Sequence, residues 1–247
     1  MPAVKAIPAQ KRLTREDWIA AARKVLVKSG VEGVKIDRLT HDTRATRGSF
    51  YWHFTDRDEL LKALLHDWEV ANYVAIANIR ARWARSKADF TELVEIWIAE
   101  GPESPAFGMA IRTWAHDDGQ VEEVMHRVDN EWIKILQLLF EPDGYDDTER
   151  LVRARIVYFH QVGYHALALR EPYSERLRLV PYYYKVLMGR EPGDNLRDLL
   201  RTFERNQHAQ AREKERHPTP QAGRKAPQRR THSKSRRVRA NGQHKND

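Results

Sequence analysis

A short segment near the amino terminus combines basic, small and aromatic residues in a spacing suited to contact with nucleic acid. Residues 45–54 read Ala-Thr-Arg-Gly-Ser-Phe-Tyr-Trp-His-Phe. Thr46 can cap a helix here, and Phe50 and Phe54, four residues apart, then share its inner face. Because this apolar stripe suffices for so short a helix, the opposite face is predicted to contact a partner, the alternative being that its tryptophan packs into the core. The residues of that face are Arg47, Gly48, Tyr51 and Trp52.

Each of these outward residues suits a particular contact with a nucleic acid. Gly48 lets the backbone approach a phosphate closely, and the amino terminus of the helix adds partial positive charge. Arg47 can form paired hydrogen bonds with a guanine or a phosphate, and the plane of Trp52 can lie on a thymine methyl group or a sugar. These properties leave open which side chain reads the bases.

Patterns typical of catalysis or metal binding do not occur in the sequence. There is no phosphate-binding loop, dinucleotide glycine motif, Gly-x-Ser-x-Gly elbow or His-Glu-x-x-His motif, and no cysteine for thiol chemistry or zinc. His116 and the two aspartates that follow it are explained by a predicted helix end. His160 and His165, five residues apart, point to different sides of a helix. We therefore predict no catalytic site, no metal and no cofactor.

Basic residues are concentrated at the two ends of the chain. Residues 1–57 carry twelve Lys and Arg against six Asp and Glu, and residues 207–247 carry twelve against three, so these segments have net charges of +6 and +9. Residues 58–206 carry 19 against 26, a net charge of −7. Basic ends beside an acidic body suggest that the ends meet a polyanion, and a merely solvated basic head is the alternative.

The spacing of apolar residues predicts an all-α protein, because intervals of three and four are common and strand-like alternation is rare. We divide the chain into a disordered basic arm (1–12), a helix-turn-helix head (13–57), a helical body (58–206) and a disordered basic tail (207–247). No signal sequence is recognisable, and the longest run without charged residues, 156–169, is too short to cross a bilayer. We expect a cytoplasmic protein that has no contact with membranes.

Three short helices are predicted within the head. The first begins after Thr14, whose hydroxyl can accept a hydrogen bond from the Asp17 amide, and it ends at Gly30. The second covers residues 36–43, and a tight turn joins it to the third, the helix of the aromatic segment. Asp56 can cap the helix that follows. Three helices with a tight turn before the last are the anatomy of a helix-turn-helix unit.

Two runs in the head resemble the DNA-binding signature of the tetracycline-repressor (TetR) family. Residues 33–39 read Gly-Val-Lys-Ile-Asp-Arg-Leu, and residues 46–60 read Thr-Arg-Gly-Ser-Phe-Tyr-Trp-His-Phe-Thr-Asp-Arg-Asp-Glu-Leu. In the family, the second run forms the recognition helix and opens the fourth helix. The resemblance implies that Arg57 holds a phosphate. It also implies contacts with DNA by Thr46, Arg47, Ser49, Tyr51, Trp52 and His53.

Two residues of the head depart from the family pattern. Arg44 stands in the turn where the family usually has a Gly, and Thr40 stands where it usually has a small Ala. A residue other than Gly at positive φ costs on the order of 1 kcal/mol. We therefore expect a slightly altered turn, and with it an altered register of the recognition helix.

Seven helices are predicted for the acidic body, with breaks at proline and glycine. They cover residues 57–85, 88–100, 104–116, 119–140, 146–170, 174–189 and 194–205. In the TetR family this region binds a ligand and dimerises through the two helices that flank Pro172. The resemblance thus implies a homodimer, with interface candidates Ile156, Tyr158, Phe159, Val162, Gly163, Ala166, Leu167, Leu177, Val180, Tyr183, Tyr184 and Leu187.

The same resemblance implies a pocket for a small-molecule effector among the middle helices. Aromatic side chains with a few polar groups are the usual lining of such a site. The candidates are Trp97, Phe107, Met109, Trp114, Trp132, Tyr158, Gln161 and His165. For each of them packing in the core is the alternative, and the sequence does not identify the ligand.

These features predict a homodimeric, nucleoid-associated regulator of transcription that is not an enzyme. It would repress by binding a palindromic operator in double-stranded DNA, and an effector would release it. One alternative is a non-specific nucleic-acid-binding protein, of the nucleoid or RNA-binding kind, in which the basic tail dominates. A small helical enzyme with a solvated basic head is the other alternative.

Overall fold

The computed structural model describes residues 13–99, 103–169 and 171–216. For residues 99, 103 and 207–216 it describes the backbone alone. This part of the chain consists of ten α-helices and two 3-10 segments and contains no β-strand. The predicted all-α fold is confirmed. The predicted basic arm, and the predicted tail from residue 217 onward, lie outside the described residues.

The head consists of three helices and one 3-10 turn, and short-range hydrogen bonds set where the helices begin. They are α1 (Arg15–Ser29), the turn (Val31–Gly33), α2 (Ile36–Thr43) and α3 (Arg47–Tyr51). The Thr14 hydroxyl accepts from the Asp17 amide at 3.2 Å, and the Thr46 hydroxyl accepts from the Ser49 amide at 3.2 Å. Both predicted caps are therefore confirmed.

Helix α3 is held by aromatic side chains on its inner face. Phe50 and Phe54 are almost completely buried, and their rings lie 5.5 Å apart between centroids. The ring of Trp18 on α1 meets Phe50 edge-on at 5.3 Å. Edge-to-face aromatic pairs add to the free energy gained by burial. The predicted inner face is thus confirmed, and α1 provides the surface on which it packs.

The turn between α2 and α3 contains a left-handed residue although Arg44, and not a glycine, stands there. Arg44 has φ 56° and ψ 31°, and its amide donates to the His41 carbonyl at 3.2 Å. The Ala45 amide donates to the Thr40 carbonyl at 3.0 Å, so the helix closes in the usual way despite the missing glycine. The Thr40 hydroxyl donates to the Asp37 carbonyl at 2.9 Å.

The body adds seven helices. They are α4 (Arg57–Trp83), α5 (Phe90–Ala99), α6 (Glu103–Ala115), α7 (Gly119–Gln137), α8 (Asp147–Ala166), α9 (Tyr173–Met188) and α10 (Asp194–Arg216). The helix predicted for residues 119–140 ends earlier, at Gln137, and a 3-10 segment with Pro142 inside it follows, because proline cannot sit in an α-helix without a clash. Helix α10 continues to Arg216, past the predicted end of the folded part, since residues 207–216 contain good helix formers and no Gly or Pro.

Two clusters of buried side chains form the core, and one of them joins the head to the body. The first cluster contains Trp18 and Phe50 of the head together with Phe107, Ile111 and Trp114 of α6. The second lies among the end of α4 and helices α5 and α7–α10. Described residues up to Glu204 form one compact unit, and a second unit begins at Arg205. The position of α3 therefore depends on α6 as well as on the head.

None of the described helices is both long enough and apolar enough to cross a bilayer.

Candidate nucleic-acid interface

The outer face of α3 presents two aromatic side chains to solvent. Tyr51 is 55% exposed and Trp52 is 71% exposed, whereas Phe50, which directly precedes them in the chain, is fully buried. The alternative that Trp52 packs in the core is therefore wrong. Large aromatic groups exposed beside a basic residue indicate a contact surface, because burial in a complex recovers their hydrophobic free energy.

Gly48 lies on the same face, and the protein itself does not require a glycine there. A Cβ atom at this position would have the Thr46 hydroxyl oxygen as its nearest neighbour, at 3.8 Å, an ordinary contact distance. Its φ is also outside the positive region that favours glycine. The missing side chain instead leaves the start of α3 open, so a phosphate can approach the amides of the first turn.

Arg47, the first residue of α3, is joined to Asp37 in the first turn of α2. Its Nε atom lies 2.8 Å from the Asp37 Oδ1 atom, and its Nη2 atom lies 2.5 Å from the same oxygen. Both side chains are about two-thirds exposed. Sequence reasoning missed Asp37, because the spacing of residues along the chain does not show that a side chain of α2 reaches α3.

His53, which the family pattern assigns to DNA contact, is directed toward the amino-terminal end of the described chain. Its Nε2 atom lies 2.9 Å from the Leu13 carbonyl oxygen, and the side chain is half-buried. Because a carbonyl oxygen only accepts, the Nε2–H group of the imidazole donates this bond. In this arrangement His53 ties the end of α3 to the start of α1.

Arg57 was expected to hold a phosphate, but its guanidinium binds the backbone of the head. Nε donates to the Val34 carbonyl at 2.7 Å, and Nη2 donates to the Val31 carbonyl at 2.8 Å. These two bonds fasten the 3-10 turn after α1 to the start of α4. These two bonds use two of the five donors of the guanidinium and stabilise the head, and the implied contact of Arg57 with a phosphate stays a prediction.

The eight effector candidates do not share one cavity. Trp97 and Gln161 line a cavity of about 70 Å³ between α5, α8 and α9. A wider cleft of about 1190 Å³ lies between the end of α1, helix α6 and the end of α8. Four candidates line this cleft: Trp97, Met109, Trp114 and His165. The stretch Leu26–Glu32, which sequence reasoning did not include, forms the opposite wall.

The remaining candidates have other neighbours. Phe107 belongs to the core under the guanidinium of Arg23, which lies 4.7 Å from the ring centroid. Trp132 donates from its indole N–H to the Asn72 side-chain oxygen at 2.9 Å. For Phe107, packing in the core describes the structure better than an open pocket does.

Tyr158 takes part in a polar cluster that joins three helices. Its hydroxyl donates to the Asp129 carboxylate at 2.6 Å and accepts from Arg112 at 2.8 Å, and Arg112 also binds Asp129 with two hydrogen bonds. Burial raises the pKa of Tyr158 far above its usual value, so the hydroxyl keeps its proton and remains a donor. The cluster connects α6, α7 and α8 and leaves none of these polar atoms unpaired.

The histidines that were considered as metal ligands lie in separate surroundings. The ring of His160 packs on Tyr183 at 4.6 Å between centroids, and the His165 Nε2 atom lies 2.8 Å from the Gln161 side chain. Burial lowers the pKa of both histidines. Within the described ranges, no three His, Asp or Glu residues are grouped as metal ligands.

Helices α8 and α9 expose several apolar side chains, but some of the residues expected at a dimer interface are not among them. Leu177, Tyr184 and Leu187 are buried in the core of their own chain. The expectation that they lie at an interface is wrong, because α9 turns this face inward. The outward side chains on the two helices are Val152, Ile156, Phe159, Tyr182 and Val186.

Part of the chain, from α1 into α4, is similar to known proteins. Residues 19–64 match the profile described as bacterial regulatory proteins, tetR family. Over 57 residues, or 23% of this chain, the sequence is 39% identical to the HTH-type transcriptional regulators TtgW and SrpR of Pseudomonas putida. The match spans 42% of TtgW and 27% of SrpR, less than half of either relative.

Solved structures with a similar arrangement have low sequence identity to this chain. GusR of Salmonella enterica is 18% identical, with a TM-score of 0.47, and the alignment covers 66% of this chain and 85% of that one. A transcriptional regulator of Rhodococcus sp. Rha1 is 15% identical, with a TM-score of 0.49, over 76% of this chain and 92% of that one.

Replacement of Gly48 by alanine separates a requirement of the fold from a requirement of binding. Since the added methyl group meets only an ordinary contact, we expect Gly48→Ala to raise the free energy of unfolding slightly, by roughly 0.5 kcal/mol. Binding to duplex DNA should weaken, because the methyl group lies where a phosphate approaches. Thermal unfolding and DNA titration measure the two effects, and unchanged DNA affinity would contradict the proposed approach.

Replacement of Arg57 by lysine keeps the charge but removes the paired bonds to Val31 and Val34. We expect Arg57→Lys to lower the free energy of unfolding by about 1–2 kcal/mol, because two carbonyl groups lose a charged partner. Urea denaturation measures this loss. A variant of wild-type stability, with only a small change in DNA affinity, would instead support a role in phosphate binding.

Proposed function

We propose that residues 19–64, which match the profile of the tetR family, form a DNA-binding domain and that the chain represses transcription at a palindromic operator until a small molecule releases it. Such a protein would act in the cytoplasm, on the DNA of the nucleoid. The observation that carries the proposal is the two-sided character of α3. Its inner side is anchored by Phe50 and Phe54, and its outer side exposes Tyr51 and Trp52 next to Arg47.

The position of these residues supports docking of α3 in the major groove. In helix-turn-helix proteins the second helix of the unit enters the groove, and its first residues contact base edges. Arg47 and Gly48 belong to the first turn of α3, and Tyr51 follows one turn later on the same face. The partial positive charge at the start of the helix also favours the approach of a phosphate.

A homodimer would place two such heads on one operator, and the exposed faces of α8 and α9 support it. Val152, Ile156 and Phe159 follow one another on α8 at intervals of four and three residues, and each is about half exposed or more. Tyr182 and Val186 form a similar pair on α9. Apolar side chains at such intervals lie along one side of a helix, and pairing with a second copy would remove them from water.

An effector would bind in the wide cleft, where both the head and the body supply residues. The cleft is lined by Leu26–Glu32 at the end of α1 and by residues of α6 from Pro105 to Asp117. A ligand there would contact both walls and favour the arrangement of head and body that fits it best. It would release DNA only to the extent of its difference in affinity between the two arrangements.

Selection from a pool of random-sequence DNA duplexes tests the proposed operator. We expect the full chain to enrich a motif of two symmetry-related half-sites, about 34 Å apart or a multiple of this distance. Tyr51→Ala should weaken binding to that motif by about 1–3 kcal/mol without loss of helicity, because the side chain is exposed. Salt-sensitive binding without any enriched motif would support the non-specific alternative.

Replacement of Gly163 by arginine tests the proposed dimer interface. Gly163 continues the series of Val152, Ile156 and Phe159 on α8, and a Cβ atom added there would have no neighbour within 4 Å outside the backbone of its own helix. We therefore expect Gly163→Arg to fold normally but to sediment as a monomer, because a charge would enter the contact between two copies. An unchanged dimer would mean that the interface lies elsewhere.

A further inference from the structure

Arg47 faces Asp37 with one edge of its guanidinium group and leaves another edge available. Oδ1 of Asp37 accepts a hydrogen bond from Nε at 2.8 Å, and Nη2 on the same edge lies 2.5 Å from this oxygen as an ion-pair contact. Arginine has five donors in a plane. The outer edge, formed by one hydrogen of Nη1 and one of Nη2, points away from the carboxylate, along the direction of the side chain.

The available edge has the geometry that recognises guanine. Two parallel N–H groups of one arginine can bind the O6 and N7 acceptors of a guanine in the major groove. No other base presents two acceptors in this arrangement there. Arg47 stands in the first turn of α3, beside the exposed Tyr51, where the base edges would lie under the proposed function.

Asp37 is well placed to hold the guanidinium in this orientation. It lies in the first turn of α2, where the partial positive charge at the start of the helix favours a carboxylate. The Thr40 hydroxyl donates a hydrogen bond to the backbone carbonyl of Asp37. An exposed ion pair contributes little in water, since solvent screens it. Once DNA covers the two side chains, screening falls and the pair holds its geometry more firmly.

We propose that Asp37 is a positioning residue that orients Arg47 to read a guanine in each half-site of the operator. The proposal rests on the proposed function, because it assumes that α3 enters the major groove. Asp37 would also weaken DNA binding in general, because its negative charge repels the phosphate backbone of every DNA sequence. Through Arg47 it would therefore raise the preference for guanine, and through its charge it would lower the total affinity.

A charge effect without any positioning is the competing explanation, and the chain offers a matched control for it. Asp42 lies on the same helix α2, is about half exposed and pairs with Arg38 at 3.7 Å. Asp42→Asn removes the same charge from α2 but leaves Arg47 and its partner in place. Any change shared by Asp37→Asn and Asp42→Asn therefore measures charge alone.

The experiment uses the motif that wild-type protein enriches from random duplexes. Binding of the full chain is measured to this duplex and to duplexes with each G·C pair replaced by A·T, for wild type, Asp37→Asn, Arg47→Ala, the double variant and Asp42→Asn. We expect Arg47→Ala to abolish the preference for guanine at one position per half-site, and Asp37→Asn to reduce it by about tenfold. Asp42→Asn should leave it unchanged.

The double variant supplies the decisive comparison. If Asp37 acts through Arg47, adding Asp37→Asn to Arg47→Ala should change the guanine preference no further, although affinity for all duplexes should rise. The inference is overturned if Asp37→Asn and Asp42→Asn strengthen binding to all duplexes alike with the guanine preference intact. It is also overturned if Arg47→Ala keeps that preference. Failure of the wild type to enrich any motif would instead overturn the proposed function.

Circular dichroism of each variant shows whether the head remains folded. Asparagine at position 37 can still accept a hydrogen bond from Arg47, so Asp37→Ala is measured as well. We expect the guanine preference to fall further in Asp37→Ala than in Asp37→Asn, with helicity unchanged in both. Equal preferences in the two variants and the wild type would contradict positioning through the carboxylate.

Discussion

The burial of Phe50 and Phe54 against Trp18 is the interaction on which the binding surface depends. Helix α3 contains five residues, and a helix of this length is not stable by itself in water. Its conformation and direction are therefore set by the two rings on its inner side and by the Thr46 cap. Because the inner side is fixed, the first turn and the exposed aromatic residues must face outward together.

The same core extends beyond the head and connects it with the body. Phe107, Ile111 and Trp114 of α6 lie in one cluster with Trp18, and Arg112 of the same helix binds Asp129 and Tyr158. Helix α6 therefore contacts the head through apolar side chains and the body through a polar cluster. A shift of α6 would change the packing at both ends, which is what control of DNA binding by an effector requires.

Polar groups around α3 divide into those that hold the head and those that face outward. His53 and Arg57 belong to the first kind, since they bind carbonyl groups of Leu13, Val31 and Val34. Arg47 belongs to the second kind, and its partner is a carboxylate from the neighbouring helix. Arg47 and Arg57 thus make different contacts although they are the same residue type, because different backbone or carboxylate groups lie within reach of each.

The sequence by itself determined the helical class, the caps at Thr14, Thr46 and Asp56, and the two faces of α3. These features arise from hydrogen bonds and contacts over three or four residues, so local spacing shows them. Only the tertiary structure decided the partners of Arg47, His53, Arg57 and Tyr158, the inward face of α9 and the separation of the effector candidates into different surroundings. Those contacts join residues far apart in the chain, and their distances follow from how the helices pack, which the spacing of residues along one helix does not specify.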